Sequence, residues 1–312
     1  MDVWEAPVRL LPVPFPPVHG EVLGWYLNRL ARANCTTAGR IARSLAPTSG
    51  HMLVSTRTDA LRNWGPSVLP RLAVMTGTSV ETLKRSLPGL ARLAARDEGE
   101  IIRLRRDLYV VCPHCMRRKG ITRPILAHLP VGRQLCTKHG IWLNGNTHYR
   151  LERLPEVIVA QHRHQRLARR FPRTIEEATA ETRKIVHSWL MIDNQRQLQL
   201  RWQGRIRTLP QQQTRYSNLI RRKRDARELI VTYPEFVTLL GMLANPRWRR
   251  LRMPDSKLVS PEEHRNTMAE LFAEAEHRLA LTTLRKMPGT KKIHHDPLFR
   301  WADPKGRAWP QP

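Results

Sequence analysis

Cys112, Cys115, Cys136 and His139 stand in the order C-x2-C-x20-C-x2-H. Each pair places two soft donors at the ends of a short turn, so both can reach one ion. The long middle segment then brings the second pair back to the first. Three thiolates and one imidazole suit a single tetrahedral zinc and leave no position for water, which points to a structural ion and away from hydrolysis. Iron–sulfur ligation fits less well, because a histidine as fourth ligand is uncommon there. His114 and His128 lie nearby without a partner at ligand spacing. Cys35, the remaining cysteine, has nothing near it to complete a second site and reads as a small buried thiol.

The elements that must hold these donors are short. Residues 101–111 (IIRLRRDLYVV) mix β-branched and apolar positions with arginines and predict a strand leading into Cys112. Metal would order this strand, the RRKGITR loop and the HGIWL segment as one unit that lacks a core of its own. Further upstream, residues 67–88 (SVLPRLAVMTGTSVETLKRSLP) predict two helices across a turn at Gly77–Ser79. Leu69, Leu72 and Ala73 form one short apolar face, Gly77 breaks it, and Ser79 can cap the second helix, with Glu81 in its first turn favouring the dipole. Val80, Leu83 and Leu87 would dock that second helix, with Leu72 and Leu83 buried and Lys84 and Arg85 facing solvent. This is the layout of a helix-turn-helix, in which Thr82, Lys84, Arg85 and Ser86 lie on or beside the exposed face and could contact DNA. A plain helical hairpin with a basic rim remains the alternative.

Charge supplies the partner class. The 312 residues carry 54 Lys and Arg against 26 Asp and Glu, a formal net of +28. The excess is uneven, at +4 over residues 1–100 and +24 over residues 101–312. Such a chain attracts a polyanion. The densest run, Arg221, Arg222, Lys223 and Arg224, cannot all face an apolar core, so it is a candidate for phosphate contact, with a solvated helix face as the plainer reading. No stretch nears 18 consecutive apolar residues, and Met1–Pro17 has proline where a signal peptide needs an unbroken apolar run. A membrane partner is therefore not expected, and the location is expected to be cytoplasmic, with the nucleoid. No H-E-x-x-H, no Walker-type loop and no carboxylate cluster is present, so an enzyme is not expected.

The fold class expected is mainly α, with small helical modules including the helix-turn-helix, plus a zinc finger with short strands. Four regions follow: 1–100, helical, with the helix-turn-helix at about 67–88; 101–150, the zinc-finger module; 151–288, basic and mainly helical; and 289–312, a flexible tail. Within the first, residues 7–18 are proline-rich and extended, Gly20–Glu21 opens an amphipathic helix with Leu23, Leu27 and Leu30 on one face, and Thr36 or Thr37 caps a short helix through Leu45. Within the third, Thr174 and Glu177 form a capping box ahead of Ile175, Ala178, Ile185, Trp189 and Ile192 at helical spacing. Residues 198–202 (LQLRW) alternate and leave helix or strand open there. Ser260-Pro261-Glu262-Glu263 starts a helix lined by Met268, Phe272, Ala275, Leu279 and Thr283.

Three stretches together resemble the TniQ family, the target-selection subunits of heteromeric cut-and-paste transposons. They are G-E-x-L-x-x-Y-L-x-R-L-A at Gly20–Ala31, the helical pair around Ala73–Ser86, and V-C-P-x-C followed by C-x-x-H-G-x-x-L at Val111–Cys115 and Cys136–Leu143. The resemblance covers roughly residues 10–145 and matches Cys112, Cys115, Cys136 and His139 to the family's zinc ligands. It implies an adaptor that binds double-stranded DNA and passes the chosen target to an AAA+ ATPase regulator, which recruits the transposase. Target choice through a CRISPR guide complex is compatible with it, as is a homodimer. Gly145-Asn146-Thr147-His148 stands where many members have another C-P-x-C pair, so a second zinc is not expected. The family's middle-loop tryptophan is also missing from the segment before Cys136. A DNA-binding transcriptional or chromosome-end protein built from the same modules is the alternative function. An RNA-binding or ribosome-associated role also fits charge plus finger.

Overall fold

A computed structural model describes residues 8–45, 68–88, 90, 108–128, 132–143, 147–191, 195–209, 214–215, 226–252, 260–281 and 296–303. The chain forms two compact units, residues 1–130 with 216–221 and residues 131–215 with 222–312. Its described elements are mainly helices, with a few strands of two or three residues.

In the first unit, α1 (Leu23–Ala33), α2 (Ala38–Leu45), α3 (Val68–Thr76) and α4 (Val80–Ser86) share one core built on Leu27, Leu30, Leu45, Leu72, Leu83 and Leu87. The expected apolar face of α1 is the buried one: Leu23, Leu27 and Leu30 point inward. α1 ends in a left-handed turn at Cys35 (φ +50°), where Cys35 N–H donates to the Arg32 carbonyl and Thr36 N–H to the Ala31 carbonyl. That paired bonding closes the helix C-terminus and leaves the Cys35 side chain exposed, so the buried thiol expected from sequence is corrected. Thr37 then caps α2 through its Oγ1, which accepts from Arg40 N–H at 3.2 Å.

The proline-rich lead runs extended over this core. Leu11 N–H donates to the Met75 carbonyl (3.0 Å), and Tyr26 donates its hydroxyl to the Phe15 carbonyl (2.8 Å). Gly20 (φ +79°) lies against the strand Leu126–His128 so closely that a Cβ there would sit 2.3 Å from the His128 carbonyl oxygen. Glu21 is 1% exposed and accepts from Val18 N–H (2.8 Å) and from both Nε and Nη2 of Arg29 (2.9 and 2.7 Å). The Arg29 guanidinium also lies over the Phe15 ring, 4.6 Å from its centroid. Four positions of the Gly20–Ala31 motif thus have a physical role. Gly20 admits the strand, Glu21 and Arg29 lock the lead to α1, and Tyr26 ties down Phe15.

In the second unit, α6 (Pro155–Arg170) and α7 (Ile175–Met191) pack on either side of α10 (Tyr233–Leu243). Thr174, just ahead of α7, donates its hydroxyl to the Ala244 carbonyl (2.8 Å), and Ile192 lies outside the described residues. α10 is apolar nearly all round, which suits a central helix. Its one carboxylate, Glu235, is buried and accepts from Trp202 Nε1 (3.0 Å) and from Arg205 at two points (2.6 and 3.0 Å). Trp202 and Arg205 belong to α8 (Arg196–Thr208), so the LQLRW stretch is helical, with Leu198 and Trp202 buried one turn apart. α9 (Ala226–Val231), α11 (Pro246–Arg249) and α12 (Pro261–Leu279) complete the layer. Ser260 caps α12 as expected, Met268, Phe272, Ala275 and Leu279 are buried, and Thr283 lies outside the described residues.

Residues expected as a flexible tail include α13 (Pro297–Ala302), where Leu298, Phe299, Trp301 and Ala302 are buried. Asp296 caps this helix through Leu298 N–H (2.8 Å) and accepts from Trp189 Nε1 (3.1 Å). An N-cap, a proline at the first helical position and four apolar residues give this short segment enough anchorage to dock. The boundary expected near residue 100 lies outside the described residues.

Candidate metal centre and nucleic-acid interface

The first donor pair is set by a hairpin and a short helix. β1 (Leu108–Val110) pairs antiparallel with β2 (Leu126–His128), matching Tyr109 to Ala127. The strand expected within residues 101–111 is therefore present at its C-terminal end. Cys112 follows as the N-cap of α5 (Pro113–Arg117), with Pro113 at its start, and Met116 N–H donates to the Cys112 carbonyl (3.1 Å). One helical turn puts Cys115 on the same side as Cys112. The second pair sits on a tight hairpin. β3 (Leu135–Cys136) pairs with β4 (Ile141–Trp142), and His139 N–H donates to the Cys136 carbonyl (3.2 Å) inside the turn, which Gly140 closes at φ +56°.

One candidate donor atom from each of Cys112, Cys115, Cys136 and His139 lies within 4.8 Å of the others. Cys136 Sγ and His139 Nδ1 are 3.5 Å apart. An ion about 2.3 Å from each sulfur in tetrahedral geometry needs donors about 3.8 Å from one another, so the group is close enough to hold a metal ion. Cys112 and Cys136 are buried, while Cys115 and His139 are half-buried. His114 and His128 are not members of the group.

The helical pair has the expected form. α3 and α4 are separated by a turn at Gly77–Ser79, with Gly77 at φ +62°. Ser79 Oγ accepts from Thr82 N–H at 3.3 Å. Leu72 and Leu83 are fully buried, while Lys84 and Arg85 are exposed. Lys84 pairs with Glu81 (3.1 Å) and Arg85 reaches the Thr82 hydroxyl (3.4 Å); both contacts are solvent-exposed, where an ion pair contributes little. The helix therefore presents Thr82, Lys84, Arg85 and Ser86 without committing them to the core. Arg221, Arg222, Lys223 and Arg224 lie outside the described residues.

Two features went unread in the sequence. The buried Glu21–Arg29 pair could have been found from the eight-residue separation of opposite charges across an otherwise apolar helix face. Arg117, Arg118, Lys119 and Arg123, between the two donor pairs, are all exposed. Their density in one short loop was the available signal.

A buried polar knot stands beside the second hairpin. Gln161 Oε1 accepts from Gln134 N–H (2.8 Å), Leu135 N–H (3.2 Å) and Tyr233 O–H (3.1 Å). His164 Nδ1 lies 2.8 Å from the Tyr233 hydroxyl. Burial first, and the charge of Arg183 second, push His164 down to about 4, so its imidazole is neutral at physiological pH. This knot fixes the strand that carries Cys136 onto α6 and α10.

Among the described residues no helix is long and apolar enough to cross a membrane. Residues 12–143 match the TniQ family model, a span that holds α1 to α4 and all four donors. No curated protein and no solved structure matches the chain.

Proposed function

Since residues 12–143 match the TniQ family model, we propose that this chain is a TniQ family protein associated with transposition, a zinc-containing DNA-binding adaptor that selects a target site and recruits an AAA+ regulator. The observation that carries the reading is the coincidence of the family match with a group of four donors close enough for one ion. Cys112, Cys115, Cys136 and His139 would hold one zinc, which would supply fixed geometry for the hairpin turns and no open coordination position. Thr82, Lys84, Arg85 and Ser86 would contact DNA from α4, with Arg221, Arg222, Lys223 and Arg224 adding phosphate contacts. The chain acts by binding, without turnover of its own. Double-stranded DNA, the AAA+ ATPase and, where target choice is guided, a CRISPR complex are its partners, and it works in the cytoplasm at the nucleoid.

The test measures duplex binding by the full metal-loaded chain. Lys84→Ala with Arg85→Ala should weaken a preferred site more than a scrambled one. Alanine at Arg221–Arg224 should weaken both alike and flatten the salt dependence by about 0.9 in log–log slope for each phosphate no longer neutralised. Retention of an AAA+ ATPase on the bound duplex separates the adaptor from a transcriptional or chromosome-end protein. A wild-type chain that binds no duplex would overturn the reading.

A further inference from the structure

The first unit carries a groove that neither the helix-turn-helix nor the metal centre uses. Its volume is about 630 Å³, and its walls come from the lead (Phe15–Val18), the last turns of α1 (Arg29, Arg32, Ala33) and the loop after α5 (Lys119–Arg123). Four cations line it: Arg29, Arg32, Lys119 and Arg123; no carboxylate does. Arg29 is largely spoken for, since its Nε and Nη2 donate to the buried carboxylate of Glu21 and its plane lies over Phe15. The other three are exposed, and none forms an ion pair among the described residues. α1 ends here, but its C-terminal partial charge of about −0.5 is small against three full cations.

We propose that this groove seats the phosphate backbone of duplex DNA through Arg32, Lys119 and Arg123. The inference rests on the DNA-binding reading above and adds a contact surface to it. The lining chemistry selects the occupant. Prolines, aliphatic side chains and the Phe15 ring, which Arg29 already overlies, offer no hydrogen bonds to read base edges or to pair with a peptide main chain, and Thr122 adds only one hydroxyl. Three exposed cations beside an apolar wall favour a repeating anion, contacted irrespective of sequence. The locked Glu21–Arg29 pair fixes one wall of the groove, while ordering the exposed Arg32, Lys119 and Arg123 on the anion costs side-chain freedom that the phosphate contacts must offset. Arg117, at the end of α5, and Arg118, just after it, are exposed and extend the positive field beyond the groove.

The experiment is a salt titration of duplex affinity for the full metal-loaded chain, wild type against Arg32→Ala/Lys119→Ala/Arg123→Ala. Because these side chains are exposed and form no ion pair among the described residues, the variant should match wild type in circular dichroism and metal content. Its log–log salt slope should fall by about 2.7, and its affinity should drop by about tenfold or more at roughly 0.15 M salt, equally for preferred and scrambled duplexes. A second variant, Arg32→Lys/Arg123→Lys, keeps the charge and should retain the wild-type slope. An unchanged slope in the alanine variant overturns the groove while leaving DNA binding by the chain intact. Loss of slope in the lysine variant also overturns it, since charge would then not be the cause. Tighter binding of a competing RNA hairpin, abolished in the alanine variant, would replace duplex DNA as the occupant. A wild-type chain that ignores duplex DNA removes the DNA-binding reading itself.

Discussion

The first donor pair and the helical layer of α6 to α13 solve the problem of order in different ways. Among the described residues around the β1–β2 hairpin, the buried apolar clusters are small: Val22, Val110 and Leu126 form one, and Val18, Met116 and Ile125 another. The helical layer instead closes around one continuous core that includes Trp189, Trp202, Phe272, Phe299 and most of α10. Ordering a residue costs about 1–2 kcal/mol in backbone freedom, which a large apolar core offsets and three-residue clusters do not. The difference teaches where metal is needed: Cys112 and Cys115 stand where apolar packing is thin, whereas Cys136 and His139 lie on a hairpin whose Leu135 and Trp142 already belong to the large core.

That contrast is open to attack, and the largest effect should come from the metal. Purified chain should carry about one zinc, and Cys136→Ser or chelation should remove it together with most order in the finger, because binding and folding are coupled at such sites. Hydrogen exchange reads this directly: the amides of Val111 and His128 should lose protection while those of α10 keep theirs. Full protection of both after metal removal would show that the finger stands on its packing alone.

The reciprocal change lies in the helical layer. Trp202 is 1% exposed and donates to Glu235, so Trp202→Ala opens a cavity and removes a donor from a buried carboxylate. It should cost about 3–5 kcal/mol in denaturant unfolding and leave the metal content at the wild-type value. Zinc lost along with that stability would mean that the finger and the helical layer do not hold their order separately.

A smaller effect concerns acid. His164 is held neutral in the folded chain, with its pKa lowered from 6.5 to about 4. The unfolded chain therefore binds the extra proton first, so stability is full above about pH 6.5 and is lost as the pH falls towards about 4. Replacing it removes that dependence. Between those pH values wild type should lose on the order of 3 kcal/mol relative to His164→Phe, a difference in which metal release common to both chains cancels. A pH-independent difference between the two would mean that His164 is not held neutral by the fold.

Much of this architecture is legible in the sequence. Spacing alone names the four donors, and Gly77, the Ser79 cap and leucines at three- and four-residue intervals mark the α3–α4 pair. Ser260-Pro261 marks α12 because cap and first-turn preferences are local. What escapes depends on distant partners. LQLRW alternates in sequence, yet Trp202 needs Glu235 and Leu198 needs the core, so tertiary packing makes it helix. Asp296–Ala302 reads as tail because its anchor, Trp189, lies more than a hundred positions upstream. Cys35 reads as a core thiol because nothing in its own residue type announces a left-handed helix end.

Gly20 sets a timetable as well as a shape. Its carbonyl accepts from His128 N–H at 2.6 Å, and Val22 N–H donates to the Leu126 carbonyl at 2.9 Å, so the lead and the hairpin form one three-stranded edge. At synthesis rates of about 5–20 residues per second, the lead emerges roughly 5–20 s before its partner strand does. During that interval α1 to α4 can gather their leucine core, since all of its residues precede the hairpin. The Pro-rich lead can dock its upper part through Leu11 and Gly20 N–H can reach the Ser86 carbonyl, but the Gly20 carbonyl and the Val22 N–H must wait, unpaired, for the strand that carries His128. Proline at positions 12, 14, 16 and 17 keeps most of the neighbouring edge without donors over that period, which makes the waiting segment a poor template for pairing with another chain.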